Sequence, residues 1–171
     1  MELSEYEKAF SRYLKTVTFP KTPLASWDFY SVYFSDLKKT TTDTAILKNF
    51  ERKNNWNCSW DLCEELQNKT VIVLTDVNLK IVFASKNMVD MNGYLPNEVI
   101  GNHPKMFQGK ATDIAVSKII GEAVKNQIPF KEVVINYCKD GTIYKCEIKG
   151  YPIFDMGGKL KHFIAFEKMV A

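Results

Sequence analysis

Cysteine and histidine are scarce in this sequence, and that scarcity excludes several kinds of chemistry. Its four cysteines, Cys58, Cys63, Cys138 and Cys146, form no C-x-x-C pair. Cys58 and Cys63 are also poorly spaced to share a helical face. With only His103 and His162 as further ligands, no metal site is expected. The cysteines read instead as reduced, mostly buried small hydrophobes. Nor is there a nucleophile elbow or a phosphate-cradling glycine loop, so the expectation is that the chain is not an enzyme. No apolar run approaches the roughly 20 residues that a membrane helix needs. The opening MELSEYEKAF is acidic and amphipathic, unlike a signal or transit peptide. A cytoplasmic location without membrane contact is therefore expected. The net charge of +3, carried by scattered lysines, is too small for a nucleic-acid surface.

What is present is an aromatic-rich first third. Residues 1–66 hold 12 of the 22 aromatic residues, including all three tryptophans, which is too apolar a load for a linker. Ser4 and Glu7 form a capping box ahead of Tyr6, Phe10, Tyr13, Leu14 and Val17 at helical spacing. Thr22-Pro23 opens a second predicted helix carrying Trp27, Tyr30, Tyr33, Phe34 and Leu37. The run Thr40 to Thr44 reads as a loop and a new cap before Ile46, Leu47 and Phe50. Ser59 reads as the cap of a last short helix through Leu66.

Beyond residue 66 the pattern changes to strands, near 70–76, 80–84, 130–139, 142–154 and 160–170. Asp140-Gly141 and Gly157-Gly158 mark turns. Val116, Ile119, Ile120, Ala123 and Val124 mark an amphipathic helix. Three apolar runs, 71–74, 81–84 and 163–166, are continuous rather than alternating, which predicts strands buried on both faces. Something must cover the second face, and the helices of residues 1–66 are the natural candidate.

Met91 to Gly109, MNGYLPNEVIGNHPKMFQG, packs several short turns into nineteen residues. Asn92-Gly93 stops one helix, Pro96 starts another and Gly101 ends it. Gly109 reads as permitting a further change of direction. This stretch resembles the helical crossover of a PAS domain. The resemblance continues upstream in VIVLTDVNLKIVFASKNM and downstream in the last three strands, covering about residues 67–171. It implies an α+β PAS fold: a five-stranded antiparallel sheet with short crossover helices on one face and an N-terminal helical extension (1–66) on the other.

GNHPKMFQG further resembles the G-x-N-C-R-F-L-Q-G signature of the light-oxygen-voltage (LOV) subfamily, whose cysteine bonds to a photoexcited flavin. Here Pro104 occupies the cysteine position, and proline carries no nucleophile. Of the flavin-binding set that the resemblance implies, Gln108 and Asn136 match. His103, Cys146 and Glu167 stand where asparagine, asparagine and glutamine are usual, and Lys105 replaces an arginine, losing its bidentate fork. This depleted set argues against flavin and leaves the cofactor unnamed.

Strand alternation sends Tyr144, Cys146 and Ile148 to one face and Lys145, Glu147 and Lys149 to the other. A three-residue loop, Asp140-Gly141-Thr142, would place Asn136 opposite Cys146 and inward, whereas a two-residue turn would turn it outward. The family alignment supports the former. Candidate ligand-binding residues are Gln108, Asn136, Cys146, His103, Glu167, Thr75, Phe107 and Tyr144. Each has a structural alternative: Gln108 and Asn136 as partners of backbone groups, His103 as a surface residue, Glu167 as exposed near the chain end.

The resemblance implies a stand-alone sensory or regulatory module in signal transduction, binding a small apolar ligand, a protein partner or a second copy as a homodimer. The alternative is a ligand-free interaction or dimerisation module, its interior filled by Phe83, Met106, Phe107 and Tyr144. Flavin binding without photochemistry is a third reading.

Overall fold

The computed structural model describes residues 25–170 apart from Ser59, with side chains from Ser31 onward. The predicted helix around Ser4 to Val17, the cap at Thr22-Pro23 and the cap at Ser59 lie outside these residues. The chain divides into two compact units, Met1–Ser35 and Asp36–Ala171. In the first, the rings of Tyr33 and Phe34 meet edge to face at 5.9 Å.

Helix α1 (Ala25–Asn54) runs without a break through the threonine cluster expected to be a loop. The hydroxyls of Thr41 and Thr42 donate to the carbonyls of Leu37 and Lys38 one turn back. Their hydrogen-bonding capacity is thus absorbed inside the helix instead of competing with it. Asp43, buried, accepts from the Lys86 N–H at 2.6 Å instead of capping a new helix. Arg52 and Lys53 occupy the last turn, where cations suit the helix dipole. The chain then turns at Asn55 in the left-handed region, φ 49°, which asparagine tolerates better than most residues. Helix α2 (Leu62–Gln67) is capped by Asp61, whose carboxylate accepts from the Cys63 and Glu64 N–H groups.

Strands β1 (Val71–Asp76), β2 (Ile81–Ala84), β3 (Phe130–Tyr137), β4 (Ile143–Phe154) and β5 (Leu160–Val170) form one sheet in the order β2-β1-β5-β4-β3. The neighbouring pairs are antiparallel. Between β2 and β3 lie α3 (Met88–Asn92), α4 (Pro96–Val99), a 3₁₀ turn (Pro104–Phe107) and α5 (Ile114–Lys125).

Five consecutive residues of β1, Val71 to Thr75, are buried, as the continuous apolar run requires. Val71 and Val73 pack with Ile81, Met88, Val99 and Phe107 on the crossover side. Ile72 and Leu74 pack on the other side with Ile164 and Phe166, under Leu47, Trp56, Leu62 and Leu66. A five-stranded sheet with a second, N-terminal helical layer is the architecture that results. The described part of that layer lies in residues 43–67. Phe83 belongs to this outer cluster, because its partner Leu74 faces that way; it does not fill the crossover side.

Backbone bonds also join the helical layer to the sheet. Asn57 N–H donates to the Phe154 carbonyl at 2.8 Å, and Met156 N–H donates to the Asn55 carbonyl at 3.0 Å. Trp56 thereby forms a one-residue bridge opposite Asp155.

Candidate functional site

The crossover owes its shape to local backbone chemistry. Gly93 takes φ 78° and its N–H closes α3 onto the Val89 carbonyl at 3.0 Å, a conformation that glycine adopts without penalty. Pro96 opens α4, and Glu98 reaches back to accept from the Leu95 N–H. Gly101 N–H donates to the Ile81 carbonyl, and Ile81 N–H to the Asn102 carbonyl. These two bonds fasten the crossover to the open edge of β2, which would otherwise present unpaired groups.

His103 is exposed and its Nδ1 accepts from the Lys105 N–H at 3.1 Å, capping the 3₁₀ turn. Burial, with the Lys105 charge second, lowers its pKa from the ordinary value. Phe107 is buried against Tyr94, ring centroids 5.5 Å apart. Gln108 is half-buried and ends the turn.

Gly109 does not serve a left-handed bend; it is absent from the glycines with positive φ. Its requirement is steric, since a Cβ there would sit 2.6 Å from the Tyr137 ring. That ring is fixed by the Ala111 N–H, which donates to the Tyr137 hydroxyl at 2.8 Å. Gly109→Ala should cost about 1–3 kcal/mol, the usual effect of overpacking. Urea denaturation checks this, and Tyr137→Ala in the same chain should recover part of the loss.

On the sheet wall, the β3–β4 loop is Lys139-Asp140-Gly141, one residue earlier than expected. Cys138 N–H donates to the Thr142 carbonyl at 2.8 Å, so Asn136 pairs with Tyr144 and Val134 with Cys146. The partner is shifted by two residues, which preserves the face. Asn136, Tyr144 and Cys146 are all buried and share one side. The turn moved because the Asp140 carboxylate accepts from the Thr142 N–H and hydroxyl, placing Thr142 on the closing pair.

The polar groups of this wall are bound mainly to one another. Asn92 Nδ2 donates to the Tyr144 hydroxyl at 3.3 Å, and Asn136 also hydrogen-bonds that hydroxyl. Burial raises the Tyr144 pKa strongly despite these bonds. Glu167, expected as exposed in one reading, is 5% exposed, because its cross-strand partners Val71 and Ile148 flank it in mid-sheet. Its Oε2 receives the Cys146 thiol at a long 3.9 Å. Burial lifts the Glu167 carboxyl to about 7. Burial and the neighbouring Glu167 both push the Cys146 thiol far up, so it is protonated and a poor nucleophile. The Thr75 hydroxyl is buried without any partner, a condition shared only with Thr44 among the described residues.

Gln108 faces a groove of about 530 Å³ between the 3₁₀ turn and α5, lined also by Lys105, Thr112, Lys118, Gly121 and Lys125. Lys118 and Lys125 lie seven residues apart, on one helix face, but the apolar stripe of α5 drew the sequence reading to its other side. Asn92 was likewise legible only as a helix stop. Among the described residues no cluster could hold a metal ion, and no helix is long and apolar enough to cross a membrane.

A five-stranded antiparallel sheet with this crossover defines a PAS-type sensory fold. A family model described as PAS domain matches residues 69–168, and the chain belongs to that family. It also resembles LOV domains. Phototropin-2 of Oryza sativa subsp. japonica is 34% identical over 112 residues, 65% of this chain and 12% of that protein. A blue-light-activated histidine kinase of Brucella abortus is 32% identical over 85 residues, 50% of this chain and 17% of that protein. The chain thus spans less than a fifth of the length of these relatives. Among solved structures, the dark state of the Aureochrome1 LOV photoreceptor superposes with a TM-score of 0.60 at 24% identity. The match covers 67% of this chain and 86% of that one. The LOV domain of an Erythrobacter litoralis blue-light activated histidine kinase gives 0.57 at 20% identity, covering 60% and 96%. These two likenesses establish the fold.

Proposed function

We propose that this chain is a sensory or regulatory module of signal transduction whose input is a small, largely apolar ligand received between crossover and sheet. One observation carries the reading. The sheet wall facing the crossover holds polar groups that the protein itself leaves under-satisfied: the Thr75 hydroxyl has no partner, and the Glu167 carboxyl has a distant thiol. Buried groups of this kind are costly unless something hydrogen-bonds them. An apolar molecule bearing one or two polar atoms would relieve that cost. Ligand binding acts as a signal to the extent that it favours one packing of the crossover over another.

Relatives with blue-light names raise the question of flavin. The residues here do not fit a photoactive one. Pro104 offers no thiol on the 3₁₀ turn, and Cys146 lies across the sheet wall with a strongly raised pKa. Asn92, Asn136 and Tyr144 are engaged with each other. The purified protein should be colourless; visible bands that bleach under blue light and recover in the dark would overturn this.

Native mass spectrometry of freshly purified protein tests the ligand directly. A bound small molecule should appear, and Thr75→Val or Asn136→Leu should weaken it by about 1–3 kcal/mol. A protein that carries nothing, and whose variants change stability alone, favours the second reading, a ligand-free interaction module. The burial of Phe107 and Tyr144 in the interior supports that alternative.

A further inference from the structure

The other face of the sheet carries a titratable group that the crossover site does not use. His162 on β5 is 7% exposed and stands under the helical layer. Its Nδ1 accepts a hydrogen bond from the Trp56 indole N–H at 3.1 Å. The Trp56 ring meets it edge to face at 5.4 Å, and the Phe50 ring does so at 5.7 Å. The indole N–H is a donor only, so the bond exists only while Nδ1 is unprotonated. A second proton on the imidazole puts two N–H groups against each other in a site closed by aromatic carbon.

We propose that the Trp56–His162 bond is a pH-operated latch, whose opening on protonation of His162 loosens residues 47–57 from the sheet. This device is independent of whether the crossover side holds a ligand. The surroundings support the neutral imidazole. From β1, Asp76 is the cross-strand neighbour, but its Oδ1 is taken by the Asn78 and Lys80 N–H groups. From β4, the neighbour is the apolar Ile153. Beside His162 on β5, Lys161 pairs with Asp155 at 3.3 Å, and the Asp155 Oδ1 is bound to its own turn. From the helical layer, the Phe50 and Trp56 rings pack against it. Burial is the largest influence on the imidazole and lowers its pKa; Asp76 opposes this and Lys161 adds to it.

The sign follows. A depressed folded-state value means that the unfolded chain binds the proton more readily, so the latch contributes fully above the ordinary histidine range, about 6.5, and is lost as pH falls through the lower folded value. The backbone bonds of Asn55 and Asn57 to the β4–β5 turn flank Trp56 on both sides, so residues 47–57 loosen as a unit.

Amide hydrogen exchange on the full chain tests this, with rates corrected for intrinsic pH dependence. Protection of residues 47–57 should fall about tenfold or more between pH 7.5 and 5, while β3 and β4 keep theirs. His162→Gln, which offers a non-titrating acceptor, should abolish the pH response, and Trp56→Phe should leave the segment equally exposed at both pH values. Unchanged protection in the wild type, or an unaltered response in His162→Gln, overturns the proposal. If that variant fails to fold, ¹⁵N shifts of the two wild-type histidines decide. Nδ1 of His162 should be the unprotonated nitrogen at pH 7.5, and its titration should coincide with the loss of protection. Titration and loosening at different pH values overturn the latch.

Discussion

A chain beginning at residue 67 should fail to remain a folded monomer. Truncation removes Leu47, Trp56, Leu62 and Leu66, each at most 7% exposed, from above Ile72, Leu74, Ile164 and Phe166. Burial of one large apolar side chain contributes roughly 1.5–3 kcal/mol. Losing four therefore removes about 6–12 kcal/mol, comparable to the whole stability of a typical domain. The uncovered face would be a contiguous apolar patch of the kind that drives association. Size-exclusion chromatography with light scattering, together with circular dichroism, checks the result. A monomeric 67–171 fragment melting like the full chain would show that the helical layer contributes little. Leu47→Ala offers a milder version, with an expected loss of about 2–5 kcal/mol.

The second large effect belongs to Glu167. Its folded value of about 7 against an ordinary 4.5 corresponds to about 3 kcal/mol. A raised carboxyl is stabilising while protonated, so the contribution is complete below about 4.5 and is lost as pH rises through about 7. Replacing it by glutamine keeps the shape and removes the charge. Glu167→Gln should therefore be more stable than wild type by up to about 3 kcal/mol at pH 8, with the gap closing toward pH 4.5. Urea denaturation at pH 5 and pH 8 measures the gap. The difference between the two chains isolates Glu167 from His162, whose contribution has the opposite sign. A gap that is the same at both pH values would mean that the carboxyl is solvated or paired.

Much of this architecture could be read from residue pattern. The continuous runs at 71–74 and 163–166 demanded a second covering layer, and among the described residues Leu47, Trp56, Leu62 and Leu66 supply it, with Phe50 and Trp60 packed against them. Asn92-Gly93, Pro96 and Gly101 marked helix ends because each residue's backbone preference acts locally. The inward face of Asn136, Tyr144 and Cys146 survived an incorrect loop assignment, since a shift of two residues leaves side-chain parity intact.

Where the reading failed, distant partners had overridden local preference. Thr40 to Thr44 looks like a helix break in isolation. It stays helical because Asp43 finds Lys86 and Leu47 finds the sheet. Phe83 is placed by the register of β1 with β2. The burial of Glu167, its shifted carboxyl and the meeting of Trp56 with His162 depend on pairings across 21 to 106 residues of chain. The sequence by itself determined the sheet, the crossover and the need for a cover, because those follow from periodicity and backbone preference. Tertiary structure alone decided which polar groups are left short of partners, because solvation and pairing are properties of the packed interior.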